Sequence, residues 1–168
     1  YGQSARRMWH IDNRPEGVKA RDVTSLIEHY YRFPEMNERA RDAQQQAWKS
    51  VTNLIESDFW GGVTAADPSG WMSIEESSFP SFDIDGIKVY ATLDFAFEGS
   101  GGPTIIDWKT GARRTEDRGQ LTLYSLYAQS KWGWDPTLTD LSLVCLNPAL
   151  EVDTFRPSTD DLEAAREM

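Results

Sequence analysis

One short segment, residues 104–111 with the sequence Thr-Ile-Ile-Asp-Trp-Lys-Thr-Gly, restricts the fold more than any other part of the chain. It has the composition of a buried β-strand, yet an acid and a lysine stand near its end. Side chains alternate along a strand, so Asp107 and Lys109 share one face while Ile106 and Trp108 occupy the other. An isolated Asp-x-Lys pattern is most often a simple ion pair at a strand end, and the neighbouring strand decides whether it is more.

A second acid, Asp94, lies in the preceding strand pattern, residues 87–98, where an unpartnered charge is unfavourable. Alternation along this pattern predicts one face made of Val89, Ala91, Leu93, Phe95 and Phe97. A glycine-rich loop, residues 99–103, predicts a hairpin centred near Gly101, and in that register Asp94 and Asp107 lie opposite each other. Two adjacent carboxylates repel unless a cation joins them, and Mg²⁺ or Mn²⁺ is the usual occupant of such an oxygen site.

The rest of the chain predicts helices first, then strands, then a helix between strands. Predicted helices cover residues 22–32, 35–57 and 117–132, and a last one begins at the capping pattern Ser158–Asp161. Further strands are predicted at residues 71–77, 140–146 and, on a sheet edge, 152–155, with a turn at Asp85-Gly86 and a break at Gly61-Gly62. This order predicts a mixed α/β fold, α+β-like, in which a central mixed β-sheet is flanked by helices.

Length and composition fit one folded domain, and we expect residues 1–168 to form it, with a helical part at 1–60 and a sheet core at 71–168. Seven Trp, six Tyr and seven Phe exclude a disordered chain. No apolar run approaches the roughly 18 residues of a membrane span, so we expect no membrane partner. The single cysteine, Cys145, favours a reducing compartment, and we predict a cytoplasmic protein.

The formal net charge of −10, from 17 basic and 27 acidic residues, argues against a protein that coats nucleic acid nonspecifically. It is compatible with a site built from carboxylates. The predicted helix at 117–132 adds polar groups to such a site, because Gln120 and Tyr124 are four residues apart and therefore share a helical face. Packing of the helix against a sheet is a sufficient explanation for Tyr124. It explains less readily why Gln120 lies on the same face, shortly after the loop that contains Arg113 and Arg114.

Taken together, these motifs resemble the RecB-like branch of the PD-(D/E)XK nuclease superfamily over about residues 74–128. The resemblance is carried by Asp94 in Ala-Thr-Leu-Asp, by Asp107-Trp108-Lys109-Thr110-Gly111, and by Gln120-x-x-x-Tyr124. It implies a restriction-endonuclease-like core and a divalent-metal-dependent deoxyribonuclease. The implied activity is that of an exonuclease in recombination, repair or phage DNA processing, within a bacterial or phage-infected cell.

The resemblance also implies a role for each residue that matches. Asp94 and Asp107 would ligate Mg²⁺ or Mn²⁺ together with the backbone carbonyl of Trp108. Lys109 would position or activate the attacking water and stabilise charge on the phosphate, and the products would carry a 5′-phosphate. Gln120 and Tyr124 would orient the site and the DNA backbone. Alternation allows one of Glu75 and Glu76 to face the site, although a solvated surface acid is the favoured reading for either.

Two positions depart from the branch. Ala91 replaces the glycine that precedes the metal-binding aspartate, a change that a strand tolerates. The branch also places a metal-binding histidine on an early helix, and Thr24 occupies that position here. His29 lies five residues further on, about 140° around the helix, and is the candidate metal ligand, while His10 is a weaker one. One cysteine cannot hold an iron–sulphur cluster.

Three functional readings follow. The first is the metal-dependent DNA nuclease. The second is a cleavage-deficient nuclease-like domain that binds DNA or a protein partner, such as a helicase or a recombination protein. The third is a module of a larger helicase–nuclease, with which a chain that opens at Tyr1 would agree. Trp132 and Trp134 are the candidate contacts for a partner.

Overall fold

The computed structural model describes residues 34–74 and 79–167. The helix predicted at residues 22–32 lies outside the described residues, as do His10, His29, Glu75 and Glu76. The chain divides into two compact units, residues 1–46 and residues 47–168. In the first unit the structure describes residues 34–46, most of which belong to the first helix. The second unit contains the rest of that helix, all the described strands and the remaining helices.

The described helices are α1 (Met36–Ile55), α2 (Asp58–Thr64), α3 (Asp117–Trp132) and α4 (Thr159–Arg166), with short 3-10 helices at Pro68–Gly70 and Pro136–Leu138. The strands are β1 (Trp71–Ile74), β2 (Ser81–Ile84), β3 (Ile87–Tyr90), β4 (Phe95–Gly99), β5 (Gly102–Lys109), β6 (Asp140–Cys145) and β7 (Glu151–Phe155). None of the helices in the described part of the chain is both long enough and apolar enough to cross a membrane.

A five-stranded sheet in the order β1-β4-β5-β6-β7 forms the centre of the second unit, and β2 and β3 form a separate hairpin. All neighbours in the larger sheet are antiparallel except β5 and β6, which are parallel and are joined through α3. A parallel pair needs such a crossover, because a tight turn cannot join strands that run in the same direction. The mixed α/β architecture with a central mixed sheet is therefore confirmed, and it agrees with a restriction-endonuclease-like core.

Strands β5 and β6 direct apolar side chains to both faces of the sheet, and each face must therefore be covered. Helices cover both. On the face covered by α3, the buried cluster includes Ala91, Leu93, Ala96, Ile105, Leu121, Tyr124, Tyr127, Ala128, Trp134, Leu141 and Leu143. On the opposite face, the cluster includes Val63, Phe95, Ile106, Val144 and Leu146, with Leu54, Phe59, Trp60 and Trp108 packed against it. The strand β5 thus separates two cores, as its alternation predicts.

The β4–β5 hairpin has the predicted register. Phe95 pairs with Ile106 at its open end and Gly99 pairs with Gly102 at its turn, so the turn centres on Ser100 and Gly101. Gly102 has a φ of 109°, which a residue with a Cβ rarely adopts. The glycine-rich loop therefore sets the register that places residue 94 opposite residue 107.

The single strand predicted over residues 87–98 is wrong, because the structure divides it into β3 and β4. Between them Ala91 and Leu93 are buried on the α3 face, whereas Phe95 and Phe97 belong to the opposite cluster. The predicted common face therefore changes sides at Asp94, where the chain bends. The physical reason is that, among the described strands, β3 pairs with β2 alone, so the chain must turn to enter the larger sheet at β4.

Other predictions are confirmed or corrected by local contacts. Helix α3 has the predicted bounds and ends at Gly133, whose φ of 75° suits a helix C-cap. Helix α4 begins with the predicted capping box, in which Ser158 and Asp161 bond reciprocally. The break predicted at Gly61-Gly62 is wrong, because both glycines lie inside α2, which is capped by Ser57.

The two tryptophans predicted to contact a partner belong to the interior. Trp134 is buried in the α3-side cluster, and Trp132 packs against it with ring centroids 4.8 Å apart. Trp132 also makes an edge contact with Tyr127. These contacts account for both indole rings by packing, so the prediction of a partner contact is wrong for Trp134 and unsupported for Trp132.

Candidate active site

Asp107 lies near the end of β5, on the face covered by α3, with only 4% of its surface exposed. Its Oδ2 atom lies 2.7 Å from the Nζ atom of Lys109. The two groups form an ion pair, and this buried oxygen accepts no hydrogen bond from the described residues. Burial raises the pKa of the Asp107 carboxyl, Lys109 opposes that shift, and the negative charges of Asp94 and Asp117 add to it.

Asp94 lies at the bend before β4, immediately beyond the last pair of the β4–β5 ladder. Its Oδ2 atom accepts a hydrogen bond of 2.8 Å from the backbone N–H of Trp108. The carboxylate therefore occupies the position on β5 where a continued β4 would have bonded. This contact holds Asp94 at the end of the hairpin where Asp107 lies. The negative charge of Asp94 raises the pKa of Asp107, as expected for two nearby carboxyls.

The backbone of Trp108 faces the same side as Asp94. The carbonyl of Lys109 accepts a hydrogen bond from the N–H of Leu146, which follows β6. Neighbouring residues of a strand direct their backbone groups to opposite sides, and one residue directs its N–H and C=O to the same side. Because the N–H of Trp108 reaches Asp94, its carbonyl is directed to that side as well. The predicted third oxygen is thus directed toward the Asp94 side.

Lys109 is surrounded by acceptors. Its Nζ atom lies 2.7 Å from Asp107 Oδ2, 3.1 Å from Gln120 Oε1 and 3.9 Å from Asp117 Oδ1. Partial burial lowers the pKa of Lys109, but the ion-pair contact with Asp107 and the negative charges of Asp107, Asp117 and Asp94 raise it above its usual value. The side chain is therefore a fixed cation at neutral pH, with 26% of its surface exposed to solvent.

Helix α3 continues this polar network. Gln120 accepts from Lys109 through Oε1 and donates through Nε2 to the Tyr124 hydroxyl at 2.6 Å. Tyr124 is buried, and burial raises the pKa of its hydroxyl, with an opposing contribution from the bond to Gln120. The predicted shared face of Gln120 and Tyr124 is therefore directed at the end of β5, as the sequence indicated.

Asp117 is a member of the site that the sequence analysis did not identify. It is the first residue of α3, only 7% exposed, and its Oδ2 atom accepts a hydrogen bond of 2.6 Å from the N–H of Arg114. A usable signal was present, because Asp117 precedes Gln120 by three residues and residues so spaced share a helical face. An acid at a helix start is so common that the signal was not distinctive.

A cleft of about 690 Å³ opens beside this network. It is lined by Trp108, Lys109, Thr110, Gly111, Ala112, Arg114, Glu116, Asp117 and Gln120. Two other arginines, Arg113 and Arg118, are not among the residues that line the cleft, and both contact the Asp153 carboxylate on β7. The guanidinium carbon of Arg118 lies 4.2 Å from the centre of the Phe155 ring. The proximity of the two arginines lowers the pKa of Asp153.

The structure therefore brings together all six described residues that the sequence predicted for the site: Asp94, Asp107, Trp108, Lys109, Gln120 and Tyr124. His29 lies outside the described residues, so its prediction as a metal ligand stays a prediction. Within the described ranges, no group of three His, Cys, Asp or Glu residues is arranged to hold a metal ion. Two carboxylates with an added backbone carbonyl, and a buried oxygen without a hydrogen bond, are nevertheless the donor types that a hard cation takes.

Comparison with known proteins adds one finding. A family model of the PD-(D/E)XK nuclease superfamily matches residues 4–167, nearly the whole chain. No curated protein gives a significant match.

Proposed function

This chain belongs to the PD-(D/E)XK nuclease superfamily, and we propose that it is a divalent-metal-dependent deoxyribonuclease acting as an exonuclease in recombination, repair or phage DNA processing. The observation that carries the proposal is the buried Asp107 carboxylate, which has an oxygen without a hydrogen bond and lies beside Asp94 and the Lys109 ammonium. The lone cysteine, Cys145, supports a cytoplasmic location.

Members of this superfamily typically use divalent metal ions, and the residues of this chain fit one. Asp94, Asp107 and the carbonyl of Trp108 would hold Mg²⁺ or Mn²⁺, with His29 as a further ligand. The buried Asp107 oxygen has the Lys109 ammonium beside it but accepts no hydrogen bond, so a metal ion would add coordination that this carboxylate lacks. When bound, the metal makes water nucleophilic near neutral pH and relieves charge on the phosphate.

The remaining residues act on the substrate side of the site. In hydrolysis the water oxygen bonds to phosphorus and the bond from phosphorus to the 3′ oxygen breaks, which leaves a 5′-phosphate. Lys109 is positively charged and opens onto the cleft, so it can donate to a phosphate oxygen as negative charge develops there. Gln120 accepts a hydrogen bond from the Lys109 ammonium and donates one to the Tyr124 hydroxyl, so the two residues would hold the ammonium next to the cleft.

A binding experiment tests the metal site. Mn²⁺ is titrated into the wild type, into Asp107→Ala and into Asp160→Asn, where Asp160 is an exposed acid in the first turn of α4 and serves as the matched control. We expect binding to the wild type and to the control and none to Asp107→Ala. Equal affinity for all three proteins would contradict the assignment.

An activity experiment tests the reaction. Linear and circular DNA, each single- and double-stranded, is incubated with Mg²⁺ or Mn²⁺, with and without chelator. Degradation of linear DNA alone, abolished by chelator, is the expected result, and 5′-phosphorylated mononucleotides should accumulate. Cleavage of circular DNA, which has no ends, would mean that the protein is an endonuclease rather than an exonuclease. Cleavage that persists in chelator would refute metal dependence.

A second candidate is a nuclease-like domain that binds DNA or a partner protein, such as a helicase or recombination protein, without cutting. It is favoured by the lack, within the described residues, of a third His, Cys, Asp or Glu close enough to complete a metal site. The formal charge of −10 disfavours tight binding of DNA, so within this candidate it favours a protein partner. Absence of cleavage in the second experiment, with or without metal binding in the first, would select this candidate.

A further inference from the structure

We propose that Asp117 is a positioning residue of the nuclease site, which holds the Lys109 ammonium from the helix side. The inference deepens the proposed function and rests on it. It goes beyond the sequence motifs, because Asp117 belongs to none of them. Its basis is the arrangement of three groups around one nitrogen: Asp107 from the same strand, and Gln120 and Asp117 from the first turn of α3.

The two oxygens of Asp117 have different neighbours. Oδ2 accepts the backbone N–H of Arg114, at 2.6 Å, and so fixes the loop that forms one wall of the cleft. Oδ1 lies 3.9 Å from Lys109 Nζ. One carboxylate therefore ties the cleft loop, the start of α3 and the lysine together, in a position that is almost completely buried.

Helix capping alone does not account for this arrangement, as a second aspartate in the same chain shows. Asp161, in the first turn of α4, accepts the backbone N–H of Ser158 at 2.8 Å, also three residues earlier. That aspartate is exposed, as a group that serves only the helix end can be. Asp117, which is the first residue of its helix rather than the third, accepts an N–H at the same spacing but is buried with its second oxygen toward a lysine. A buried charge persists where another charge offsets it.

The arrangement also separates two tasks. Asp107 is proposed as a metal ligand, so its charge would be shared between a cation and Lys109. Asp117 has no such second task, and with Gln120 it fixes the ammonium on the cleft side of β5. We infer that Asp117 keeps Lys109 in place while Asp107 serves the metal.

The test uses Asp117→Asn, whose side-chain oxygen still accepts the Arg114 N–H but carries no charge, with Asp161→Asn as the matched control. Asp117→Ser is a second variant that also keeps an acceptor at this position. The first readout is the mobility of the Lys109 side chain, measured by ¹³Cε relaxation in metal-free protein. The second is the separation of kcat from KM for DNA cleavage in Mn²⁺.

We expect both Asp117 variants to melt near the wild-type temperature, to show greater Lys109 mobility, and to lose about 10- to 100-fold in kcat with little change in KM. That range is typical when the residue lost does not contact the substrate or the metal but holds a residue that does. Wild-type Lys109 mobility together with wild-type kcat would leave Asp117 only its bond to the Arg114 N–H and overturn the proposal. A wild type that cleaves no DNA would refute the proposed function, and the relaxation measurement would still decide whether Asp117 holds Lys109.

Discussion

Because Lys109 and Asp107 form an ion pair, we predict that Lys109→Met lowers the free energy of unfolding of the metal-free protein and also lowers the rate of DNA cleavage. Methionine keeps most of the aliphatic stem of lysine but removes the ammonium. The substitution leaves the Asp107 carboxylate buried, without its nearest cation and close to the charges of Asp94 and Asp117. Two losses should therefore appear together, one in the free energy of unfolding and one in the cleavage rate.

The magnitude follows from the geometry. Unit charges 2.7 Å apart attract by about 6 kcal/mol at an effective dielectric constant of about 20, before the cost of removing both from water. Removal of one partner from a fully buried pair typically costs about 3–5 kcal/mol. Because Lys109 remains 26% exposed, water can partly compensate, and we expect a loss of about 2–3 kcal/mol.

Urea unfolding in chelator is the assay for stability, applied to the wild type, Lys109→Met and the double variant Asp107→Asn/Lys109→Met. The double variant buries no charge at this position, so we expect it to lie within about 1 kcal/mol of the wild type. Lys88→Met is the matched control, because Lys88 lies on the surface with its Nζ 5.1 Å from the Tyr90 ring centre. Its effect should stay below about 1 kcal/mol.

Cleavage by the same proteins in Mn²⁺ completes the test. Lys109→Met should be slower by at least about two orders of magnitude, the scale for loss of one electrostatic stabiliser, while Lys88→Met should cleave at the wild-type rate. A Lys109→Met protein as stable as the wild type would refute the account of the ion pair. Normal cleavage by a destabilised Lys109→Met would leave Lys109 as a structural partner of Asp107 and refute its place in the mechanism.

Three further predictions use other residues. Gln120→Ala should slow cleavage more than tenfold yet cost only about 1 kcal/mol in urea unfolding, since it removes hydrogen bonds rather than packing; a large stability loss with normal turnover would make the residue structural. Arg114 lines the cleft, so Arg114→Ala should lower the slope of log K for DNA binding against log salt concentration by about one counterion. An unchanged slope would mean that Arg114 does not contact a phosphate. Asp153→Asn should cost about 0.5–1 kcal/mol at pH 7, because Arg118 and Arg113 lower the pKa of Asp153 and these pairs are half exposed. That stabilisation is complete above the unfolded pKa near 3.8 and is lost as the pH falls through the lower folded value, so a cost that persisted in acid would contradict it.

The sequence was sufficient where one local rule decides the structure. The glycine-rich turn set the β4–β5 register, because a hairpin loop of given length permits few pairings. The bounds of α3 followed from a periodic segment that ends at a glycine suited to positive φ. Alternation along a strand placed Asp107 and Lys109 on one face, and helical spacing placed Gln120 and Tyr124 on a common face of a helix. The resemblance to a nuclease family implied that these two faces meet, and the contacts of Lys109 and Gln120 agree with it.

It was insufficient where tertiary contacts override the local pattern. Gly61 and Gly62 read as a break, yet packing of Phe59, Trp60 and Val63 on the sheet stabilises helix α2 around them. Strand β2 was not predicted, although the turn at Asp85-Gly86 needs a strand before it as well as after it. In both cases the missing information was the surface against which a short segment packs.

The bend at Asp94 shows why the least predictable feature lies at the site. Had the strand continued, as the apolar alternation of residues 87–98 indicated, Leu93 would have paired with Trp108 and the backbone ladder would have closed this end of β5. The bend instead ends the ladder at Phe95, and a side chain, the Asp94 carboxylate, takes over the N–H of Trp108. Strand pairing alone would place main-chain atoms where the site needs a carboxylate beside Asp107. The departure from regular β-structure is therefore what brings a second acid to this end of the sheet, and a variant that restored the continuous strand should lose the site while keeping the sheet.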